Sequence, residues 1–459
     1  MNLRTRVWVA LLAAAAGCGD DAATAKGPHV FLISLDTCRA DRLGCYGNER
    51  GLTPELDALA AESLVFTDCW ANSTNTGPSH RSILSGQYVH RHGMFEPFRI
   101  EMPDGMAQLL HDAGYASVAV TGGGYLRNRY GFDHGFDTFL EPSGTPFIRG
   151  LAEIEAVAAA LLQDVPGRPL FFLLHGYDPH CPYWPPEPFR GRYSGWYDGA
   201  LDARELCGRK DFNALIEAGE FGADERRYLN DLYDAGVASG DAAIGRFLGL
   251  LREKGLYEES LIIVTSDHGE NLGEHDWVGH HGMWEEQLRV PLIVKLPGAA
   301  RTGAVREPVE LVDVLPTVFR QVGTAVPAGV QGRDLLAVDL ASTRPPRRLA
   351  KVSGLEAVRV GKWKLHFRRS KGEIVDRALF DLEADPGELQ DLHPTVEGRA
   401  RFDALLADYQ EWRDATRAAD QRHRGRRLPE NPLTAEEAAG LAATGYADLH
   451  GDKNDDGGR

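Results

Sequence analysis

The chain has 459 residues, with 50 Lys and Arg against 67 Asp and Glu and a formal net charge of −17. Hydrophobic residues make up 43% and charged residues 25%, which excludes a disordered chain, a collagen-like repeat and a small disulfide scaffold. The acidic balance argues against nucleic acid and against a polybasic membrane patch, since both need a cationic face.

Residues 1–17 read as an export signal. Arg4 and Arg6 precede an apolar run, 7–16, too short to span a bilayer as a helix. Ala15-Ala16-Gly17-Cys18 resembles a bacterial lipobox. That implies a lipid on Cys18 and an exported, periplasmic or cell-surface lipoprotein that meets a membrane only through that lipid. A plain cleaved signal is the alternative. A polar linker fills 18–28. Buried-strand runs follow at Val30–Leu35, Ala116–Val120, 170–174, Leu261–Thr265 and 290–295. Helical patterns over 151–162, 226–251 and 310–322 lie between them. Alternating strands and helices imply an α/β sheet covered on both faces. A Pro- and Arg-rich stretch at 342–348 marks a domain joint. Beyond it, 357–368 reads as a β-hairpin and 400–412 as a helix. The acidic, Gly-rich end reads as a disordered tail. None of the six cysteines forms a CxxC pair, so a zinc ribbon or thioredoxin site is not expected.

Polar residues gather just after the apolar runs. Asp36 closes the first strand and can ligate a hard cation through oxygen, although strand-end Asp residues also cap helices. Asp267 and His268 close the 261–265 strand and can offer one oxygen and one nitrogen to the same metal. Thr76 precedes Gly77-Pro78 at a helix start. It reads either as a simple N-cap or as a hydroxyl nucleophile at an anion-attracting helix N-terminus, activated by a metal. His175, Asp178 and His180 follow the 170–174 strand and suit anion binding or leaving-group protonation. His275, His280 and His281 share a Gly-containing loop. Ligands of open α/β sheets bind beyond the carboxyl ends of the strands, so these distant segments are expected to build one site.

The ordered set of segments resembles the sulfatase family of the alkaline phosphatase superfamily. It comprises Leu35-Asp36-Thr37-Cys38-Arg39-Ala40-Asp41-Arg42, Pro78 through Gly86, Asp178-Pro179-His180-Cys181-Pro182-Tyr183 and Thr265-Ser266-Asp267-His268-Gly269-Glu270. It continues with Arg289-Val290-Pro291-Leu292-Ile293, then Leu379-Phe380-Asp381-Leu382 followed by Asp385-Pro386-Gly387-Glu388, and a closing stretch at 441–446. The resemblance implies a large mixed, mostly parallel sheet between helices. It divides the chain into a catalytic domain over 29–345, a smaller α+β subdomain over 346–430, and a closing motif with tail over 431–459. It implies one divalent metal, calcium by family habit with manganese or zinc as alternatives, held by Asp36, Asp267 and His268 with Thr76 beside them. Thr37 stands where many members have a second Asp. His175 and His180 would contact the ester oxygens or leaving group; His80, Asp178 and His280 or His281 would complete the anion site.

The chain departs from the family at the nucleophile. Members use Cys or Ser in C/S-x-P-x-R, oxidised to formylglycine; here Thr76 holds that position and His80 the Arg position. Thr cannot give the aldehyde, so no formylglycine is expected. The implied activity is metal-dependent hydrolysis of a sulfate ester on a small molecule or glycan. Thr76 leaves a phosphate diester or phosphonate ester as an alternative, and a non-catalytic binder of sulfated or phosphorylated glycans as another.

Overall fold

The computed structural model describes residues 27–95, 100–101, 105–143, 148–163, 165, 167–206, 212–337, 347–419, 426–427, 434–435 and 438–440. The export signal, Cys18, Cys207, positions 342–346 of the joint and the 441–446 motif with its tail lie outside the described residues.

Eight strands form one sheet: β1 (Val30–Leu35), β2 (Leu64–Phe66), β3 (Ala116–Val120), β4 (Thr138–Leu140), β5 (Leu170–Gly176), β6 (Leu261–Thr265), β7 (Leu292–Lys295) and β8 (Gly303–Val305). Their order in space is β8-β2-β7-β6-β1-β5-β3-β4. The central strand β1 is parallel to β5 and to β6, and β7 alone runs against its neighbours. Every residue of β1 is buried, as expected for a strand covered on both faces. Val30 and Leu32 enter one core, while Phe31, Ile33 and Leu35 enter the other, following the two-residue period of a strand. Helices α1 (Thr76–Ser85), α2 (Leu151–Leu161) and α3 (Ala223–Glu253) cover the sheet; the second core takes Leu151 and Ile154 from α2 and Leu229, Tyr233 and Phe247 from α3.

Two expected elements differ. The 290–295 run is divided: Arg289–Val290 pairs with Cys69–Trp70 in a separate small sheet, and β7 begins at Leu292. Pro291 between them has no N–H for a ladder. The 310–322 pattern is a short strand, Val309–Glu310, then a 3-10 turn and a helix over Val314–Val322.

A second, antiparallel sheet stands apart: β9 (Arg347–Val352), β10 (Leu355–Val360), β11 (Trp363–Ser370) and β12 (Glu373–Asp381) in simple meander order. Helix α4 (Val396–Ala419) packs on it, and Phe402 and Tyr409 join Leu365, Phe367 and Leu379 in a separate core. The expected hairpin and helix are both present and longer than their sequence signals. No helix among the described residues is long and apolar enough to cross a membrane.

Candidate active site

Adjacent strands bring the site together. Asp36 follows β1, and Asp267 and His268 follow β6, its parallel neighbour. One donor atom from each lies within 4.8 Å of the others, and all three residues are buried. The turn after β1 is under strain. Thr37 has φ 56°, a left-handed conformation that a β-branched residue holds only at a cost of about 1–3 kcal/mol. Its N–H donates to Asp267 Oδ1 at 3.2 Å, and its carbonyl accepts the Tyr233 hydroxyl of α3 at 2.5 Å. Ser266 Oγ accepts the next N–H, from Cys38, at 2.8 Å. These bonds hold the distorted turn that presents Asp36.

The electrostatics of the three donors match a cation site. Burial, with Asp267 and Glu270 nearby, pushes the Asp36 carboxyl well above the usual carboxylate range. Burial would push Asp267 the same way, but His268, His80 and His175 hold it below its ordinary value. His268 donates Nδ1–H to the Gly269 carbonyl at 3.0 Å, so in the neutral ring Nε2 is a lone pair. That lone pair lies 3.4 Å from Asp267 Oδ2. Neither atom has a hydrogen-bond partner, and neither does Asp36 Oδ1. Two buried carboxyl groups and an imidazole nitrogen converging on one point fit a divalent cation, which would displace the proton that Asp36 otherwise holds.

Thr76 is the first residue of α1, after Asn75 at the cap position, so it is not itself the N-cap. Its hydroxyl is hydrogen-bonded to the Asp36 carboxylate and lies beside the Tyr177 hydroxyl. The α1 N-terminus places backbone N–H groups and the positive end of the helix dipole at the same spot. His80, one turn on, lies beneath. Its Nδ1 bonds the Thr76 carbonyl at 2.9 Å and its Nε2 the Ser34 hydroxyl at 3.0 Å. With both nitrogens engaged, His80 braces the start of α1.

β5 runs through Gly176 rather than stopping at 174, so His175 is a strand residue in register with Ser34. Its Nε2 bonds Asp36 Oδ2 at 3.1 Å and orients that carboxylate, while its Nδ1 has no hydrogen-bond partner. Asp178 accepts the Leu151 N–H at 2.6 Å at the start of α2, where it serves that helix N-terminus. His180 is 2% exposed, donates Nδ1–H to the Cys181 carbonyl, and is pushed by burial down to about 4. Its ring centroid lies 5.3 Å from that of His280, which lies 4.6 Å from His268 and 4.1 Å from His281. His280 Nδ1 bonds the Thr74 carbonyl at 2.9 Å, tying its loop to the Thr76 segment. His281 Nε2 lies 3.4 Å from the Asn75 amide. His275 stands apart, stacked on Trp284 at 3.9 Å. Cys181 is disulfide-bonded, whereas Cys38 and Cys45 are thiols.

Three further contributors emerge from the structure: Tyr177, Tyr233 and Glu270, the last at the end of the 265–270 motif. Glu270 is fully buried, and burial pushes its carboxyl up to about 8, with Asp267 adding to the rise. Between its ordinary value and about 8 the folded state therefore binds a proton that the unfolded state has released. Stability falls as pH rises through that window. In the metal-free protein, Glu270→Gln is expected to raise the melting temperature at pH 8 by roughly 5 °C and to change it little at pH 4.5. Calorimetry at the two pH values checks this, and an equal offset at both would contradict it.

The comparisons with known proteins bear on the family and the fold. The sulfatase family model matches residues 28–324, and a model described as N-sulphoglucosamine sulphohydrolase, C-terminal, matches residues 273–411. The chain is 33% identical to arylsulfatase K of Mus musculus over 424 residues, covering 80% of this chain and 76% of that protein. It is 24% identical to N-acetylglucosamine-6-O-sulfatase of Bacteroides thetaiotaomicron over 470 residues, covering 81% and 84%. A solved structure described as a complex with its substrate D-glucosamine-2-N,6-O-disulfate superposes with a TM-score of 0.72 at 20% identity, over 86% of this chain and 99% of that one. The family match, the sheet order and the strand-end donors lead to one conclusion: this chain belongs to the sulfatase family of the alkaline phosphatase superfamily.

Proposed function

We propose that the protein hydrolyses a sulfate ester of a small molecule or glycan with the Thr76 hydroxyl as nucleophile. The observation that carries this is the Thr76 hydroxyl bonded to Asp36 at the rim of three unpartnered, buried donor atoms. Asp36, Asp267 and His268 would hold one divalent cation, calcium or alternatively manganese or zinc, with Thr76 completing its shell. Such a cation supplies charge neutralisation at the attacking hydroxyl and the ester oxygens. His175 and His80 act as positioning residues, the first through Asp36 and the second through the Thr76 carbonyl.

The Thr76 Oγ–S bond forms as the bond from sulfur to the leaving oxygen breaks. His180, kept neutral by burial, takes the Thr76 proton and returns it to the leaving oxygen. His280 and His281 line the anion side, and the α1 N-terminus stabilises charge on the sulfuryl oxygens. Water then attacks sulfur, releases sulfate and a proton, and restores the Thr76 hydroxyl. No formylglycine takes part. A second reading, a phosphate diester or phosphonate ester, is favoured by the same Thr76, since a hydroxyl nucleophile serves phosphorus equally well.

The catalytic unit would span 29–345 and the α+β subdomain 346–430. The protein would be exported and tethered through a lipid on Cys18. Side-by-side hydrolysis of 4-nitrophenyl sulfate and bis(4-nitrophenyl) phosphate with each divalent metal tests the reading. Faster sulfate hydrolysis supports it. Faster diester hydrolysis selects phosphorus, and binding of inorganic sulfate without turnover of either ester selects the non-catalytic binder.

A further inference from the structure

A buried ion cluster joins the C-terminal sheet to two of the segments that carry the site. Lys364, on β11, is fully buried. Its ammonium bonds Glu285 Oε1 at 2.9 Å and Glu388 at 2.9 and 3.0 Å. Glu388, from the Asp385-Pro386-Gly387-Glu388 motif, accepts the Glu285 N–H at 2.7 Å and contacts His366 Nε2 at 3.1 Å. Burial would raise the Glu388 carboxyl, but Lys364 and His366 hold it down at about 2. Glu285 also accepts from Arg359 at 3.0 Å and from the Trp70 indole at 3.3 Å.

Both ends of this cluster lead to the site. Glu285 lies four positions after His281, and the backbone between them has no regular structure. Trp284, in that stretch, is wedged between His275 at 3.9 Å and His366 at 4.8 Å. Trp70 leads directly into the Asn72–Thr76 segment, and β9 bonds that segment through Lys351 N–H to the Asn72 carbonyl at 3.0 Å. An irregular loop of this kind is positioned by its anchors rather than by its own hydrogen bonds.

We propose that Lys364 is a positioning residue for the active site: through Glu285 and Glu388 the C-terminal sheet fixes the His280–His281 loop against the Thr76 segment. The importance of the loop to turnover rests on the hydrolase reading above, but its anchoring does not. Removing Lys364 alone leaves two buried carboxylates short of a partner and is strongly destabilising. The test therefore uses the charge-balanced pair Lys364→Met with Glu388→Gln, which leaves Glu285 paired with Arg359, in the full-length protein.

The first readout is amide hydrogen exchange by mass spectrometry. Exchange over 279–284 is expected to rise about tenfold or more while β1 stays at the parental rate. The second is steady-state hydrolysis of 4-nitrophenyl sulfate, where kcat/KM is expected to fall about tenfold, mostly through KM. Unchanged exchange over 279–284, equal loosening of β1, or unchanged kcat/KM alongside loosened exchange would each overturn the proposal. A parent protein with no turnover counts against the hydrolase reading alone, and the exchange readout then decides the anchoring.

Discussion

Thr76→Ala is expected to lower kcat for an aryl sulfate roughly 10³-fold or more, since losing a covalent nucleophile leaves only binding and charge stabilisation. The fold should survive. The change removes one methyl and one hydroxyl at the first residue of α1, and the backbone carbonyl that His80 grips remains. Circular dichroism and cooperative melting should match the parent. Metal affinity should fall far less than turnover, because Asp36, Asp267 and His268 are untouched. Thr76→Ser keeps the hydroxyl and should retain activity within about tenfold of the parent. Turnover by the Ala variant near the parental rate would remove Thr76 from the mechanism and leave the helix N-terminus as a binding feature only.

Asp267→Asn should separate metal binding from stability. In the metal-free protein, Asp36 and Asp267 are buried carboxylates that raise the cost of ionising Asp36. The Asn retains an Oδ1 to accept the Thr37 and His268 N–H groups, so the turn keeps its bonds while one buried charge disappears. The metal-free variant should therefore melt close to the metal-free parent, because Asp36 becomes easier to ionise while the stability contributed by the depressed Asp267 carboxyl is lost. A divalent cation at 100 times its Kd should stabilise the parent by about 2.7 kcal/mol. In the variant that stabilisation should be lost, and turnover should fall roughly 10³-fold. Melting curves with and without each metal, read beside activity, check both effects. An unchanged metal-dependent rise in the variant would show that the cation, if bound, sits elsewhere.

The sequence is most legible where composition alone dictates structure. β1, β3 and β6 coincide with their apolar runs, because a strand buried on both faces needs no polar alternation. Asp36, Asp267 and His268 can be paired from the sequence, since each follows such a run and open α/β sheets gather ligands there. The apolar run of β5 ends two residues before the strand does, and that hides the place of His175. As a strand residue it is held in register with Ser34 and bonded to Asp36 through Nε2, which leaves only Nδ1 open to another partner. The Asp178 role depends on where α2 begins, 27 positions upstream, which no local pattern shows. The motif position of His80 suggests a ligand contact, but whether a ring faces the ligand or the helix beneath is decided by neighbours such as Ser34. The same holds for Lys364 and Glu388. Both lie in stretches that look like ordinary polar hairpin and turn, and only the packing of β11 against the site loops buries them.

The central claim is that Thr76 forms a covalent bond to sulfur during turnover. Acid quench of the metal-loaded protein with excess 4-nitrophenyl sulfate, followed by peptide mass spectrometry, tests it most directly. The account predicts a sulfated Thr76 in the parent and none in Thr76→Ala. An unmodified Thr76 during steady turnover, or the sulfuryl group on a different residue, would contradict it.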